Sequence, residues 1–456
     1  MLSAMSGAAT PPPPDRRRRA ARIALTLGAM LLLSELGLRL VGFELPVFHR
    51  WDAATGLRGL EGAEGWWRGE GGPHRLRFNR RGVRGPERVQ PKPPGVLRVV
   101  LLGDSFTEAL QVPYEHAYGA ALEEHLARCP AVAPRRVETI NLGVSGTGTA
   151  HQLLTLEHRG WDYQPDVVVL AFFPANDVRN NARDLEGNPN FPYFELRDGA
   201  LVLDDAFRRR PAARWRKAPL YRLWLGLRGH SRTVQLLLAA RRSLRIAAAG
   251  RSPDPLESGL SPQVYAPPTD VAWRRAWEVS EALILEAARR TRQHGARFLL
   301  ATVPASAEAH PDAALRRRLA AGLGVPDLGY PERRLLALGR RHRLPVVALG
   351  APLRAAAGDG TYLYGFPGPG LGRGHWNRRG HALAGRLIAD ALCRELRGSE
   401  DAENDEDDEQ QEDRHRRRGD RQPAAAAGRG GGSLQLAGGR RLRGGGDGGG
   451  MVERIP

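Results

Sequence analysis

The sequence predicts an α/β protein with a five-stranded parallel sheet that is covered by helices on both faces. Five short apolar runs recur along the chain, at residues 96–102, 137–142, 166–173, 296–303 and 345–349. Helical patterns lie between and after them, at residues 107–128, 148–160, 270–294, 331–342 and 378–396. Strands that alternate with helices are typical of βαβ units. Because the runs are continuously apolar, we expect both faces of the sheet to be buried.

The N-terminal segment predicts a membrane anchor. Residues 1–21 are a basic, cytoplasmic N-terminus that contains the arginines 16–19, and residues 22–43 supply the roughly 20 residues that a spanning helix needs. No small-residue cleavage site follows the apolar core, so we expect an uncleaved signal anchor, with a cleaved signal peptide as the alternative. The arginines place the N-terminus in the cytoplasm and the rest of the chain outside.

The remaining chain divides by composition. Residues 44–95 are rich in Gly, Pro and Trp and are expected to be an extracytoplasmic linker before the α/β domain, residues 96–398. An insertion at residues 180–268 interrupts the alternation of strands and helices, and it contains the run "FELRDGALVL". This run predicts a β-hairpin that turns at Asp198 and Gly199.

Charge does not indicate a nucleic-acid partner. The formal net charge is +18, but Lys92 and Lys217 are the only lysines, so the excess is arginine, as codon usage in a GC-rich genome would produce. The aromatic content of 6% is low for a base-stacking surface, and no nucleic-acid motif is present. Residues 399–456 combine an acidic block with Arg/Gly-rich low complexity, which predicts a disordered tail.

Four residues with chemical potential follow the predicted strands. Ser105 ends "VVLLGDS", Gly143 lies in "NLGVSGTG", Asn176 lies in "FFPANDV", and His375 lies in "GHWNRRGH" before the last helix. The carboxyl ends of parallel strands meet at one edge of a sheet, where ligands bind. We therefore expect these four residues to converge. A serine in this position could also be the N-cap of an ordinary helix, but the joint occurrence of all four favours a nucleophile.

These residue types suit acyl-transfer chemistry. A serine hydroxyl is a weak nucleophile until a histidine accepts its proton, which makes Ser105 and His375 the candidate catalytic pair. They should lie about 3 to 4 Å apart. The backbone N–H groups of Ser105 and Gly143 and the amide of Asn176 are candidate oxyanion-hole donors. No metal-ligand spacing is present, and no cofactor is expected.

Together these motifs resemble the SGNH hydrolases, the GDSL-type lipases and esterases. The resemblance covers residues 78–397 and is closest to membrane-anchored bacterial members, which often carry segments like "FNRRGVRG" and "HWNRRGH". It implies a three-layer α/β/α, flavodoxin-like fold and ester hydrolysis, or O-acyl transfer, without a cofactor. The four hallmark residues of the family would be Ser105, Gly143, Asn176 and His375.

The acid of the family's catalytic triad is missing from its usual place. The family normally has an aspartate two or three residues before the histidine, where this chain has Arg373 and Gly372. Three alternatives remain: Asp359 reaches the ring, a backbone carbonyl holds it in a Ser–His dyad, or most activity is lost. We expect the weakened dyad, with no carboxylate beside His375, so that Arg373→Asp or Gly372→Asp would raise turnover.

The function expected from these features is a membrane-anchored, extracytoplasmic serine esterase. Its substrates would be O-acyl esters of envelope glycans or lipids, and residues 22–43 would hold it in the membrane. One alternative is an O-acyltransferase acting on cell-envelope polysaccharide. Another is a catalytically weakened protein that binds acylated glycans.

The two cysteines leave two possibilities. Cys129 ends the first predicted helix of the domain, and Cys393 lies near the end of the last one. In a flavodoxin-like sheet these helices cover the same face, so a disulfide can form outside the cytoplasm. The alternative is two unconnected buried thiols.

Overall fold

The computed structural model describes residues 16–249, 262–358 and 360–419. The chain forms two units, residues 1–400 and 401–456. The first unit contains every strand of the described chain, and the described part of the second, residues 401–419, is helical.

The strands form one central sheet and three hairpins. The described residues contain β1 (His49–Asp52), β2 (Gly56–Gly59), β3 (Glu64–Trp67), β4 (His74–Arg77), β5 (Val96–Gly103), β6 (Arg136–Asn141), β7 (Val167–Phe172), β8 (Tyr193–Arg197), β9 (Ala200–Asp204), β10 (Arg297–Thr302) and β11 (Val346–Ala348). The central sheet is parallel, in the order β6-β5-β7-β10-β11. Antiparallel pairing joins β1 to β2, β3 to β4 and β8 to β9.

Helices connect and flank these strands. The described α-helices are α1 (Arg16–Leu40), α2 (Ser105–Glu108), α3 (Tyr118–Leu126), α4 (Thr149–Thr155), α5 (Pro174–Asn180), α6 (Arg183–Glu186), α7 (Ala206–Arg209), α8 (Pro211–Lys217), α9 (Pro219–His230), α10 (Arg232–Ala249), α11 (Val271–Gln293), α12 (Ala313–Gly322), α13 (Tyr330–His342), α14 (Gly350–Ala356) and α15 (Arg378–Gly419). Short 3₁₀ segments lie at Tyr114–His116, Trp161–Tyr163 and Pro262–Tyr265, and a π-helical turn at Leu156–Gly160.

The sheet confirms the predicted fold class. All five predicted strands are present, and every residue of the interior strand β5 is buried. Leu97, Val99 and Leu101 pack on one face, against α3, α14 and α15. Val100 and Leu102 pack on the other, against α4, α11 and α13. Because burying each such side chain contributes about 1.5–3 kcal/mol, the two faces together fix the three layers.

One predicted helix is interrupted. Residues 107–128 were expected to be a single helix, but α2 ends at Glu108, and Ala109 takes the left-handed conformation at φ 55°. The chain then passes Pro113 before α3 begins at Tyr118. Apolar residues continue through the break because the turn itself is buried, so periodicity could not locate it. The short helices α12 and α14 were also not predicted.

The insertion contains the predicted hairpin. Strands β8 and β9 pair in antiparallel register, with Leu196 opposite Leu201. Asp198 and Gly199 both have positive φ, 50° and 79°, as a two-residue hairpin turn requires.

The prediction that residues 44–95 are a linker is wrong. This segment forms the hairpins β1–β2 and β3–β4, and Phe48, Leu76 and Phe78 pack in a small core with Leu110 of the α/β domain. Its strands have only four residues each, too short for a clear alternating pattern. Tertiary contacts, rather than local pattern, therefore order this segment.

Two side chains of that segment hold it against α2. The buried guanidinium of Arg84 donates to the carbonyl oxygens of Glu108, at 2.6 Å, and of Ala109 and Val112. His49 Nε2 lies 2.5 Å from Oε1 of Glu108, whose carboxylate is fully buried. The other oxygen of Glu108 accepts hydrogen bonds from the N–H and hydroxyl of Ser145, at 2.8 and 2.5 Å. Both carboxylate oxygens of the buried Glu108 therefore have a partner.

The ends of the chain are partly described. Helix α1 is long and apolar enough to cross a membrane, lies near the N-terminus, and has none of its side chains buried. At the other end α15 continues to Gly419, so the acidic part of the segment expected to be disordered is helical. Residues 1–15 of the predicted cytoplasmic N-terminus and residues 420–456 of the predicted tail lie outside the described residues.

The two cysteines form a disulfide. Cys129 follows α3 and Cys393 lies in α15, and their Cα atoms are 5.8 Å apart with an S–S distance of 2.01 Å. The alternative of two unconnected thiols is therefore wrong. The bond joins two helices that cover the same face of the sheet.

Removing the disulfide should destabilise the protein strongly. On the chain-entropy model, opening a loop of 264 residues should cost about 5 kcal/mol in the variant with Cys129→Ala and Cys393→Ala. Urea denaturation in detergent measures this change. A reductant should lower the midpoint of the wild type and leave that of the variant unchanged; equal stability of the two proteins would contradict the prediction.

The contact between His49 and Glu108 should make stability depend on pH. Burial opposes the charge of His49, but Glu108 raises its pKa above 6.5; burial likewise opposes the charge of Glu108, but His49 lowers its pKa below 4.5. The contribution of His49 is therefore complete below pH 6.5 and is lost as pH rises through its folded pKa. That of Glu108 is complete above pH 4.5 and is lost as pH falls through its folded pKa.

We therefore expect His49→Gln to lower the melting temperature most between pH 4.5 and 6.5 and less at higher pH. Thermal unfolding across this range measures the difference. His158→Gln, at an exposed histidine, is the control and should show no such dependence. A constant difference between His49→Gln and wild type at every pH would show that the charge of His49 contributes nothing.

Candidate active site

Ser105 stands at the first turn of α2, immediately beyond the carboxyl end of β5. Asp104 is the N-cap of this helix: its Oδ1 accepts the N–H of Phe106 at 3.0 Å. Since Asp104 performs the capping, Ser105 is not the N-cap. The alternative of a purely structural serine therefore loses its basis.

His375 lies at the same edge of the sheet. Its Nε2 is 2.8 Å from Oγ of Ser105, which is hydrogen-bond distance and slightly shorter than the expected 3 to 4 Å. The imidazole ring packs 5.0 Å from the ring of Phe106, centroid to centroid. The backbone carbonyl of His375 accepts the N–H of Gly365. The side chain of Asn377 donates to the carbonyl oxygen of Tyr362. The loop that carries His375 is thus fixed by its own hydrogen bonds.

A carboxylate occupies the position of the missing aspartate. Glu70 Oε2 lies 2.6 Å from Nδ1 of His375, and its Oε1 accepts the backbone N–H of the same residue at 2.8 Å. The expectation that no carboxylate would be found there is wrong. With Glu70 present, the expected gain from Arg373→Asp or Gly372→Asp also loses its basis. Asp359, the candidate named from the sequence, lies outside the described residues.

Glu70 fits beside His375 because the residue before the histidine has no side chain. Gly374 has φ 77°, and a Cβ there would lie 2.3 Å from Oε1 of Glu70. The carbonyl oxygen of Glu70 accepts the indole N–H of Trp67 at 2.8 Å, which orders its loop. In the sequence, 305 residues separate Glu70 from His375, so no local motif connects them. A glutamate within "WWRGEGG" was the only signal.

The electrostatics favour an ionised Glu70. Burial raises the pKa of its carboxyl group, but the hydrogen bonds and charge of His375 outweigh burial and lower the pKa overall. An ionised carboxylate at Nδ1 keeps the proton there and leaves Nε2 as the acceptor that faces Ser105. The side chains of His375 and Glu70 are 26% and 32% exposed, so the site is open to solvent.

Gly143 lies against the end of α2, and Asn176 lies against its N-cap. A Cβ at Gly143 would lie 2.6 Å from the backbone nitrogen of Glu108, so only glycine allows this approach. Asn176 Nδ2 donates to Asp104 Oδ2 at 3.1 Å. The N–H of Gly143 points to Oδ1 of Asn141, at 3.0 Å, and thus has an acceptor in its own loop.

Two buried acids support this arrangement. Burial raises the pKa of Asp104 and, together with the charge of Asp104, raises that of Asp177 well above its ordinary value. Asp177 Oδ2 accepts the N–H of Phe173 at 2.8 Å, which fixes the start of α5 and so the position of Asn176.

Within residues 16–249, 262–358 and 360–419, no group of three or more His, Cys, Asp or Glu side chains could hold a metal ion.

Comparison with known proteins agrees with this geometry. Residues 99–202 match the profile of the family described as GDSL-like lipase/acylhydrolase. A search of curated proteins found no match.

Solved structures with a similar fold include three esterases or lipolytic proteins. The acetyl xylan esterase AlAXEase has 15% identity and a TM-score of 0.34, covering 65% of this chain and 98% of its own. A G-D-S-L family protein from Veillonella parvula has 13% identity and a TM-score of 0.31, covering 64% and 97%. A catalytic mutant of the acetylxylan esterase Axe2 from Geobacillus stearothermophilus has 15% identity and a TM-score of 0.32, covering 66% and 94%.

These identities and scores are too low to indicate a substrate. The family match, by contrast, includes most of β5 and the turn that carries Ser105. Over residues 99–202, the chain is therefore similar to the GDSL-like lipase/acylhydrolase family.

Proposed function

We propose that this protein is a membrane-anchored, extracytoplasmic serine esterase that hydrolyses O-acyl esters of envelope glycans or lipids. One observation carries the proposal: Ser105, His375 and Glu70 form a continuous hydrogen-bonded series, with distances of 2.8 and 2.6 Å. This is the order of nucleophile, base and orienting carboxylate that ester hydrolysis by a serine enzyme requires.

In the proposed reaction, Ser105 Oγ attacks the ester carbonyl carbon while its proton moves to Nε2 of His375. The tetrahedral intermediate collapses, and the C–O bond to the alcohol breaks as Nε2 returns the proton to the departing oxygen. Water then attacks the acyl-serine with the same histidine as base. The products are the free acid and the alcohol, and Ser105 regains its proton.

Glu70 is proposed as the positioning residue of this reaction. Its carboxylate holds the proton on Nδ1 of His375, so that Nε2 is free to accept the proton of Ser105. It also stabilises the imidazolium that forms when that proton arrives. The second contact, from Oε1 to the backbone N–H, limits rotation of the carboxylate.

Donors for the oxyanion are proposed at Ser105 N–H, Gly143 N–H and the Asn176 amide. One Nδ2 hydrogen of Asn176 is committed to Asp104, and the other remains for the substrate. The N–H of Gly143 would have to share its hydrogen bond with Asn141 or release it. Removing one such donor costs about 2.7–4 kcal/mol of transition-state stabilisation in a well-studied protease.

Placement outside the cytoplasm is supported by two features. Helix α1 is long enough to span a membrane, and the arginines Arg16 to Arg19 lie at its N-terminal end. The disulfide between Cys129 and Cys393 is typical of oxidising compartments. The open site gives access to acyl groups on large molecules rather than only to small esters in a tunnel.

A fluorophosphonate probe should label Ser105 covalently. The reason is that the Ser105–His375 pair can generate an alkoxide-like nucleophile, which the phosphonate traps. Intact mass spectrometry should show one adduct on the wild type and none on Ser105→Ala, while Ser243→Ala, at an exposed serine, labels normally. A folded wild-type protein that takes up no probe would support the non-catalytic alternative.

A second assay separates hydrolysis from acyl transfer. With acetyl esters and an added sugar alcohol, free acetate indicates hydrolysis and acetylated sugar indicates transfer.

Glu70→Gln should lower kcat on p-nitrophenyl acetate by about 10²- to 10⁴-fold, because the amide cannot stabilise the imidazolium or hold the tautomer. The acid limb of the pH–rate profile should also move to lower pH, since the histidine loses a negative partner. Glu64→Gln, on the exposed face of β3 and paired with Arg75, is the matched control. If Glu70→Gln keeps the wild-type rate and profile, Glu70 is not the positioning residue.

A further inference from the structure

The helices α8, α9 and α10 of the insertion carry a charge pattern that the proposed reaction does not use. Between residues 211 and 249, the range from the start of α8 to the end of α10, the sequence contains nine Arg and Lys residues and no Asp or Glu. In the described chain, only Arg232 of these nine forms an ion pair, with Glu44. The exposed surface of these three helices, called the basic face below, is therefore strongly cationic.

The basic face also exposes large apolar side chains in helical register. On α9, Leu220, Leu223 and Leu227 are 63%, 70% and 48% exposed, and their spacing places them on one side of the helix. On α10, Leu237 and Leu244 are 64% and 71% exposed and lie two turns apart. Leucines this exposed, among arginines, are typical of helices that lie in a membrane interface.

The basic face begins beside the end of the proposed membrane span. Glu35 of α1 accepts the backbone N–H groups of Arg232 and Thr233, at 3.0 and 3.1 Å, and so caps α10. Arg39 Nη2 donates to the carbonyl oxygen of His230 at 2.7 Å. Glu35 is five residues before the end of α1 at Leu40, a rise of roughly 8 Å. The junction of α9 and α10 is therefore held against the last two turns of α1, at the outer end of the proposed span.

We propose that the basic face lies on the anionic phospholipid leaflet from which α1 emerges. The leucines would enter the acyl-chain region, and the arginines would extend to the lipid phosphates. Continuity with α1 favours lipid over another protein, because the bilayer already surrounds the helix that α10 contacts. The proposal rests on the membrane span assigned under the proposed function.

Such contact would hold the active site close to the membrane. Arg68 Nη2 donates to the carbonyl oxygen of Gly42, directly after α1, at 3.3 Å, and Glu70 follows Arg68 by two residues. A cavity of about 560 Å³ lies between the β3–β4 hairpin and α10, with Trp67 and Arg242 in its walls. Apolar walls next to guanidinium groups suit an acyl chain next to a phosphate, which agrees with a lipid occupant.

The test uses the full chain in vesicles of phosphatidylcholine, with and without phosphatidylglycerol. Leu223→Cys and Leu237→Cys carry a nitroxide on the basic face, and Val89→Cys, 67% exposed at the opposite edge of the central sheet, is the matched control. The native cysteines do not react because they form a disulfide. In the vesicles with phosphatidylglycerol, labels at 223 and 237 should lose most of their accessibility to a water-soluble nickel chelate and gain accessibility to oxygen. The label at 89 should not change.

Three further experiments decide the proposal. Exchanging Arg241, Arg242 and Arg245 for Gln should remove most of the protection that depends on phosphatidylglycerol. If carbonate leaves the protein in the vesicles but the labels at 223 and 237 stay as accessible as the label at 89, the basic face does not bind lipid, and the span is retained. If carbonate extracts the protein from the vesicles, α1 does not span the membrane, and the proposed lipid contact of the basic face is overturned as well. Spin–spin broadening between copies in detergent would instead assign the face to self-association and overturn the proposal.

Discussion

The candidate active site depends on the contacts of one buried group, the guanidinium of Arg84. Helix α2 is a single turn, and so short a helix is not stable by itself. Arg84 donates to three carbonyl oxygens at its C-terminal end and in the following turn, where backbone acceptors have no helical partner. Burial lowers the pKa of Arg84 to about 10, so the group stays charged at neutral pH. The nucleophile turn is thus supported from outside the α/β domain.

The segment of residues 44–95 contributes to the site at three points. His49 pairs with Glu108, Arg84 caps α2, and Glu70 contacts His375. Because all three groups come from this one segment, the segment is a part of the candidate site and not an appendage to it. The carboxylate beside a catalytic histidine is defined by its geometry at Nδ1 and not by its place in the chain. This explains how a family motif can lack its usual aspartate and the structure still present a complete series of hydrogen bonds.

The same segment connects the active site to the N-terminal helix. Only 29 residues lie between Leu40, the end of α1, and Glu70, and Arg68 makes contact with Gly42 within that stretch. If α1 spans the membrane as proposed, the catalytic histidine takes its orientation from a residue near the bilayer surface. Anchoring and chemistry would then be carried by one continuous piece of chain, which places the proposed substrate at or near that surface.

The sequence by itself determined the layers, the strands and the edge where Ser105 and His375 meet. It could do so because apolar runs, turn residues and the rule for parallel strands are all local or topological. Tertiary structure decided the rest. The pairing of Glu70 with His375 and of Cys129 with Cys393 joins residues 305 and 264 positions apart, and the break at Ala109 is imposed by buried contacts. Long-range distances such as these arise only when the whole chain packs, so no local pattern records them.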